Sequence, residues 1–396
     1  MNLSSQTSSE RLHIAFFGCR NAGKSSLVNA VTNQQLSVVS DIKGTTTDPV
    51  KKAMEILPIG PVVIIDTAGL DDKGELGELR IEKTMQILGQ TDIAVLVIDS
   101  TVGINEYDKK LISLFKERNL HYIIAYNKSD LTPSAIHPLE DGVAVSAKTG
   151  EGVNELRELL GKIANENKKE KYIIKDKLRA GDIVILVIPI DESAPKGRII
   201  LPQQNVLREI LDAHANAICC QVEELKDVLN KITPNLVITD SQAFNKVKDI
   251  VPENITLTSF SILMANYKGG ANGVNRLLGN VSTLSKLQDG DSVLISEACT
   301  HHRQCNDIGT VKFPKWINDF TGKNINFEFT QGGEFPQDLS KYKLIIHCGG
   351  CMINETEMTT RQKRAQAQGI PMVNYGMAIA YMNGLLERAL EIFKNE

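Results

Sequence analysis

Short, continuously apolar runs recur along the chain at His13–Phe17, Val62–Ile65, Ile93–Ile98, Tyr122–Tyr126 and Val143–Val145. That is the pattern of strands covered on both faces. Between them, apolar positions fall at helical spacing over Ser25–Val31, Leu79–Leu88, Lys109–Glu117 and Val153–Ile163. Strand and helix in alternation predict an α/β domain built on a mainly parallel sheet. The charged tract Asn165–Lys171 has no apolar face and reads as a linker, although a solvated last helical turn has the same composition.

Beyond it the alternation resumes twice. Strands are predicted at Ile183–Ile190, Ala217–Val222, Leu236–Thr239 and Ile255–Leu257, with helices at Val206–Asp212, Glu223–Ile232 and Gln242–Ile250. A sheet this small leaves edges that seek a partner, so this part is the expected dimerisation region. Within the strand Ala217–Val222, Cys219 and Cys220 read as buried small hydrophobes. After Gly269-Gly270 come a helix from Val274, a strand Ser292–Ile295, a helix Lys312–Phe320, a strand Leu344–Ile346 and helices from Glu355 and Met377. The fold class expected is therefore an α/β domain with a parallel sheet over residues 1–168, followed by two smaller α/β domains over 172–262 and 268–396. A length of 396 residues agrees with several cores rather than one.

Composition narrows the function classes. Lys+Arg 44 against Asp+Glu 48 leaves a net charge of −4, which argues against a protein that coats nucleic acid. The longest apolar run, Ile183–Ile190, is far shorter than the roughly 20 residues that span a bilayer. Residues 1–10 are polar and lack the apolar stretch of a signal peptide, so the expected address is cytoplasmic. Seven cysteines are an odd count, and four of them fall near three histidines between Cys299 and Cys351. Such clustering suits a metal site in a reducing compartment better than a disulfide framework.

Gly18-Cys19-Arg20-Asn21-Ala22-Gly23-Lys24-Ser25 matches G-x-x-x-x-G-K-[ST] between a predicted strand and a predicted helix. Gly18 and Gly23 free backbone N–H groups to face phosphate oxygens, and the helix N-terminus adds positive potential. Lys24 reaches the terminal phosphates of GTP or GDP, Ser25 ligates Mg²⁺, and Ser26 joins the nucleotide-contacting set. Asp66-Thr67-Ala68-Gly69 follows a buried strand, placing Asp66 at the Mg²⁺ shell and the Gly69 N–H at the γ-phosphate. Asn127-Lys128-Ser129-Asp130 ends another strand, and the Asp130 carboxylate can accept both N–H groups of the guanine edge. Ser146-Ala147-Lys148 supplies backbone contact to the guanine oxygen. Each segment alone is a weak signal, but the ordered set specifies a guanine-nucleotide site.

With these residues in that order the first part of the chain resembles the TrmE/Era group of translation-factor-like GTPases. The resemblance puts Gly44-Thr45-Thr46-Thr47-Asp48 in the first switch and makes Thr46, ahead of Thr45, the second Mg²⁺ ligand, although three threonines also suit a plain polar loop. Leu70 stands where a Ras-like enzyme carries its water-orienting glutamine. Members of the group lacking that glutamine use K⁺ held partly by a P-loop asparagine, and Asn21 occupies the position here. The resemblance thus implies slow GTP hydrolysis stimulated by K⁺. Asn21 as a loop-capping residue is the competing reading. Glu75 and Glu78 are further candidates to orient water.

The second constellation is Cys299-Thr300-His301 together with His347-Cys348-Gly349-Gly350-Cys351. Cys348 and Cys351 at i, i+3 can turn toward one centre because Gly349-Gly350 allows a tight turn, and Cys299 brings a third thiolate from another strand end. Asn354 with Glu357 three residues on signals a helix N-terminus facing the thiolates, expected to lower their pKa. Three thiolates suit a 4Fe-4S cluster with one differently ligated iron or a Cys₃His zinc site, and the chemistry alone leaves both open.

A GTPase segment followed by this Cys-x-His and distant His-Cys-x-x-Cys resembles the HydF family, the maturation GTPases of FeFe-hydrogenase, over the whole chain. The resemblance implies a GTP-binding domain, a dimerisation domain and an iron-sulfur domain in the three segments above. It implies Cys299, Cys348 and Cys351 as cluster ligands, with His301 and His347 as labile ligands of the fourth iron. By the same resemblance the partners are the radical-SAM maturases HydE and HydG, the apo-hydrogenase and a second copy of the chain. The competing readings are an RNA-modification or ribosome-assembly GTPase with a structural zinc site and a structural zinc protein with a regulatory nucleotide domain. Basic and acidic residues nearly balance between 261 and 396, with no basic stripe interleaved with aromatics, which disfavours RNA.

Overall fold

A computed structural model of the chain describes residues 8–34, 50–67, 77–132, 142–166, 170–190, 199–270, 273–299 and 307–394. The chain forms two compact units, Met1–Lys169 and Glu170–Glu396.

The first unit is built on β1 (Leu12–Phe17), β2 (Val50–Ile56), β3 (Gly60–Asp66), β4 (Ile93–Asp99), β5 (His121–Asn127) and β6 (Gly142–Ala144), in the order β2-β3-β1-β4-β5-β6. All pairs are parallel except β2 with β3. The continuous apolar runs have a direct physical reading, because successive side chains of one strand enter different cores. Ile14, Phe16, Val62, Ile64, Val95 and Val97 fill one face, while Ala15, Phe17, Val63, Ile65, Leu96 and Ile98 fill the other. Burying each of the larger side chains stabilises the unit by about 1.5–3 kcal/mol. The helix Lys24–Thr32 packs Leu27, Val28 and Val31 into the first of these cores. β2 went unpredicted for a physical reason: as an antiparallel edge strand it exposes Lys51, Lys52 and Glu55 and presents no apolar run.

The second unit holds two four-stranded parallel sheets. β7 (Ile183–Val187), β8 (Asn216–Cys220), β9 (Leu236–Thr239) and β10 (Thr256–Ser259) lie in the order β10-β9-β7-β8. β11 (Ser292–Glu297), β12 (Asn326–Gln331), β13 (Leu344–His347) and β14 (Met372–Asn374) lie in the order β12-β11-β13-β14. Both smaller α/β segments are thus present, but one continuous core fills them. Leu186, Phe244, Phe260 and Leu263 from the first sheet region pack in the same cluster as Ile295, Phe313, Ile346 and Met377 from the second. A separate cluster of Leu294, Ile345, Met358 and Ala365 lies on the other face of β11 and β13, under the helix Glu355–Ala367.

Cys219 and Cys220 correct the expectation of burial. β8 is an edge strand, so Cys219 is exposed and Cys220 half-buried. Among the described residues no helix is long and apolar enough to cross a membrane.

Candidate functional site

In the first unit the nucleotide-binding segments gather at the carboxyl ends of the parallel strands, where open α/β sheets form their sites. β1 runs straight into the P-loop, and Phe16 pairs with Asp66 at the end of β3. Asp99 ends β4 opposite Asn127 at the end of β5. The glycines are required here. Gly18 has φ +137°, and a Cβ on it would lie 2.1 Å from the Val97 carbonyl oxygen. Gly23 has φ +88°, and a Cβ there would lie 2.2 Å from Asn127 Nδ2.

Lys24 is buried, and its ammonium donates to the carbonyls of Gly18 at 2.6 Å and Cys19 at 2.9 Å. It is therefore held across the mouth of the loop, in the place where phosphate oxygens would take over those bonds. Ser25 Oγ donates to Asp66 Oδ2 at 2.8 Å, so the two residues expected around Mg²⁺ are already neighbours. Asn127 ties two motifs together: its Nδ2 donates to the Ala22 carbonyl at 2.8 Å and its Oδ1 accepts from Ala147 N at 3.0 Å. Ser146 Oγ donates to Asp130 Oδ1 at 2.7 Å, which aims the carboxylate expected to read guanine. Lys128 sits in the left-handed region at φ 66° and donates to Asp99 Oδ2 at 2.6 Å. Asp99 was missed in the sequence; its position one strand over and level with Asn127 is the signal that would have found it.

Asn21 adopts φ 63°, a conformation asparagine tolerates better than most residues. This gives the loop-conformation reading a concrete basis. Its side chain is exposed on the P-loop. Ser26 follows Ser25 on the first turn of the helix, half-buried, and Lys148 follows Ala147. Thr45, Thr46, Gly69, Leu70 and Glu75 fall outside the described residues, as does the side chain of Glu78.

In the second unit β11 leads to Ala298-Cys299 and the adjacent parallel strand β13 leads to Cys348 through Cys351, with Ser296 opposite His347. The two strand ends meet: Cys348 Sγ accepts the Ala298 N–H at 3.1 Å and the Gly350 N–H at 3.4 Å. Gly350 makes the turn at φ +70°, where a Cβ would lie 2.3 Å from Met358 Cε. The turn also rests on the helix Phe260–Lys268, since a Cβ on Gly349 would touch Met264 at 3.4 Å.

Asn354 caps the following helix as expected, its side chain accepting from Glu357 N at 3.1 Å. The expected fall in thiol pKa does not follow. Burial dominates and raises all three thiols, with Cys351 pushed up to about 12. Negative charge on Cys348 adds to the rise at both Cys299 and Cys351, which places the three sulfurs in one electrostatic neighbourhood. The two N–H bonds to Cys348 and the Lys268 ammonium near Cys351 act in the opposite direction.

His347 is turned away from this turn. It is 1% exposed; its Nδ1 lies 2.8 Å from the Cys348 carbonyl oxygen, and its Nε2 lies 3.1 Å from Arg361 Nη1. Burial and the nearby guanidinium push its pKa down to about 3, so the ring is neutral. With both nitrogens engaged, His347 is not offered as a ligand here, contrary to the expectation. Strand alternation brings it to that partner: His347 shares a face of β13 with Ile345, the face covered by the helix that carries Arg361. His301, His302 and Cys305 fall outside the described residues.

Whether these residues fit an iron-sulfur cluster is tested by the donor set. Three soft thiols from two neighbouring strand ends, one already accepting two backbone N–H bonds, are the donors and the hydrogen bonding such a cluster uses. Among the described residues no three His, Cys, Asp or Glu side chains gather as a site for a metal ion. A cluster spreads its ligand sulfurs over several irons, so it is the type of donor, and not a gathered geometry, that agrees with one.

Comparison with known proteins matches three stretches. Residues 275–392 match the family model of the hydrogen maturase F tetramerization domain, and residues 173–269 that of the hydrogen maturase F dimerization domain. Residues 13–128 match the 50S ribosome-binding GTPase family. A tRNA modification GTPase MnmE of Desulforamulus reducens is 36% identical over 168 residues, 40% of this chain and 36% of that protein. The GTPase Der of Kosmotoga olearia is 39% identical over 127 residues, 31% of this chain and 28% of its own. The chain thus spans 36% and 28% of the length of these two relatives. A crystal structure of Aquifex aeolicus Era bound to GDP·AlF4⁻ aligns with a TM-score of 0.34 at 22% identity, covering 52% of this chain and 91% of that one. The first unit is a GTP-hydrolysing P-loop domain.

Proposed function

This chain belongs to the hydrogen maturase F family, and from that premise we propose that it is the GTPase and iron-sulfur scaffold on which a diiron precursor is held for delivery to apo FeFe-hydrogenase. What supports the reading is the junction at Cys348, whose sulfur accepts N–H bonds from Ala298 at the end of β11 and from Gly350 in its own turn, in a chain that also carries the ordered guanine-nucleotide segments. Cys299, Cys348 and Cys351 would hold the 4Fe-4S cluster, which supplies an iron site open to exchange. His301 is left as the candidate fourth ligand. The thiols must lose their protons on loading, so buried thiols of raised pKa make loading favoured by rising pH.

On the nucleotide side, Lys24 exchanges its carbonyl partners for β- and γ-phosphate oxygens. Ser25 and Asp66 hold Mg²⁺, Thr46 completes its shell, and the Gly69 N–H senses the γ-phosphate. Asp130, aimed by Ser146, accepts from the guanine edge. Hydrolysis is slow because leucine at position 70 cannot orient water. K⁺ near Asn21 spreads positive charge over the bridging oxygens and stimulates it. Rates equal in K⁺ and Na⁺, or an Asn21→Ala variant that keeps its preference for K⁺, refute that part.

The open edge of β8 supports a homodimer through the middle segment. The precursor would come from HydE and HydG, and the setting is the cytoplasm. Iron and sulfide analysis of wild type and of Cys299→Ala, Cys348→Ala and Cys351→Ala, all prepared without oxygen, tests the scaffold reading. Expected is a brown wild type holding iron and sulfide and a marked loss in each variant. A colourless protein that holds zinc favours a structural zinc protein with a regulatory nucleotide domain.

A further inference from the structure

Arg361 is the most deeply placed cation near the cysteine turn, 2% exposed. Its Nη2 donates to the Gly332 carbonyl at 2.7 Å and to Glu357 Oε1. Its Nη1 lies 3.1 Å from His347 Nε2 and 3.5 Å from Ser296 Oγ, and its guanidinium stacks 5.2 Å from the centre of the Phe335 ring. Five groups from four parts of the second unit thus fix one side chain. Its Nε, also buried, has no partner among the described residues. Well-packed apolar side chains often stabilise such a site as well as a buried ion pair does, so packing alone does not account for a guanidinium here.

The chemistry of the contact fixes the state of the imidazole. A guanidinium can only donate, so His347 Nε2 must accept, and the ring proton must sit on Nδ1, where it donates to the Cys348 carbonyl. The lone pair that a metal would need is thereby occupied. The separate bond from Nδ1–H ties the imidazole to the backbone of a thiol-bearing residue.

We propose that Arg361, itself fixed by Glu357, is a positioning residue that keeps His347 out of the metal coordination sphere and leaves one position of the cysteine site open to an exchangeable ligand. The inference rests on the cluster reading above. His347 then acts as a support for the Cys348 turn and not as a ligand. Arg361 touches no iron and works only through the orientation of the ring.

The test uses the full chain, reconstituted with iron and sulfide without oxygen, with iron content and pulsed EPR of the reduced cluster as readouts. Expected is that His347→Ala leaves iron content near the wild-type level and the nitrogen couplings unchanged. Arg361→Met gains an imidazole nitrogen coupling that disappears in the Arg361→Met/His347→Ala double variant, and Arg361→Lys, which retains a donor, keeps the wild-type spectrum. A nitrogen coupling present in wild type and stripped by His347→Ala overturns the inference. So does loss of more than about half the iron in His347→Ala, or identical spectra for Arg361→Met and the double variant. Should Arg361→Met fail to fold, the His347→Ala comparison decides alone. A wild type that binds no iron sinks the cluster reading itself and this inference with it.

Discussion

Asn127 offers a quantitative test of how the nucleotide site is organised. Its side chain is 2% exposed and bridges the Ala22 carbonyl and the Ala147 N–H, so Asn127→Ala removes one donor and one acceptor at once. A buried polar group left without its partner costs about 1–3 kcal/mol, which gives roughly 2–6 kcal/mol for the pair. Both orphaned groups adjoin the nucleotide pocket, where water can partly replace the lost bonds, and the lower end, about 2 kcal/mol, is expected. At about 2–4 °C per kcal/mol for a unit of this size, the first unit should melt roughly 4–8 °C lower. The nucleotide depends on the two loops that Asn127 joins, so affinity for GDP should fall about 10- to 100-fold, a tenfold change being about 1.4 kcal/mol. Differential scanning calorimetry and titration with a fluorescent GDP analogue measure the two quantities. Asn127→Asp sharpens the test: it keeps the acceptor for Ala147 and turns a carboxylate oxygen toward the Ala22 carbonyl, so nucleotide affinity should partly recover as pH is lowered and the carboxyl gains a proton. A melting shift under about 1 °C with unchanged affinity would refute the bridging argument.

Three further outcomes follow from the same geometry. Asp130→Asn replaces one of the two acceptor oxygens facing the guanine edge with a donor; GTP affinity should drop at least about 100-fold while xanthine nucleotide, which carries an oxygen at that edge, gains, as competition binding would read. Gly18→Ala places a Cβ 2.1 Å from a backbone oxygen at a φ of +137°; nucleotide binding should be lost and the first unit should melt lower by an amount equivalent to about 2 kcal/mol or more, and a protein that melts like wild type contradicts this. At Asp99, burial works to raise the carboxyl pKa, but the bonds from Lys128 and Thr101 prevail and hold it below 3.8. A carboxyl depressed in the folded state contributes stability above its unfolded pKa and loses it as pH falls through the folded value, so Asp99→Asn should narrow the difference in melting temperature between pH 6 and pH 3, and an unchanged acid limb would count against the pair.

The parts legible in the sequence are those whose chemistry is local. A P-loop declares itself because Gly18, Gly23, Lys24 and Ser25 must follow one another within a single turn, and strands β1, β3, β4 and β5 declare themselves because both faces are covered. β2 and β12 stayed hidden, since an edge strand needs apolar side chains on one face at most. In β12 the run Asn326–Gln331 carries only two aromatics among polar residues. Asn127 was read as part of a base-recognition motif, but its grip on the P-loop depends on a register spanning about a hundred residues. His347 illustrates the converse: its place beside Cys348 suggested a ligand, yet both ring nitrogens are engaged, one of them by an arginine that only the fold brings near. Arg361 gave no signal, because a basic residue in a polar helix is ordinarily solvated, and only the fold reveals that this one lies inside. Nothing in composition foretold that two sheets would share one core.

That shared filling sets the smallest piece of the chain that can be moved to another context. A fragment ended after Lys268 would bare Phe260, Leu263 and Met264 to water, and one begun at Gly273 would bare Ile295, Phe313 and Met377. Grafting the thiol-bearing half onto a different carrier therefore calls for the entire stretch from Glu170 onward as one cassette, and excised halves should be sticky apart and tractable only when expressed together.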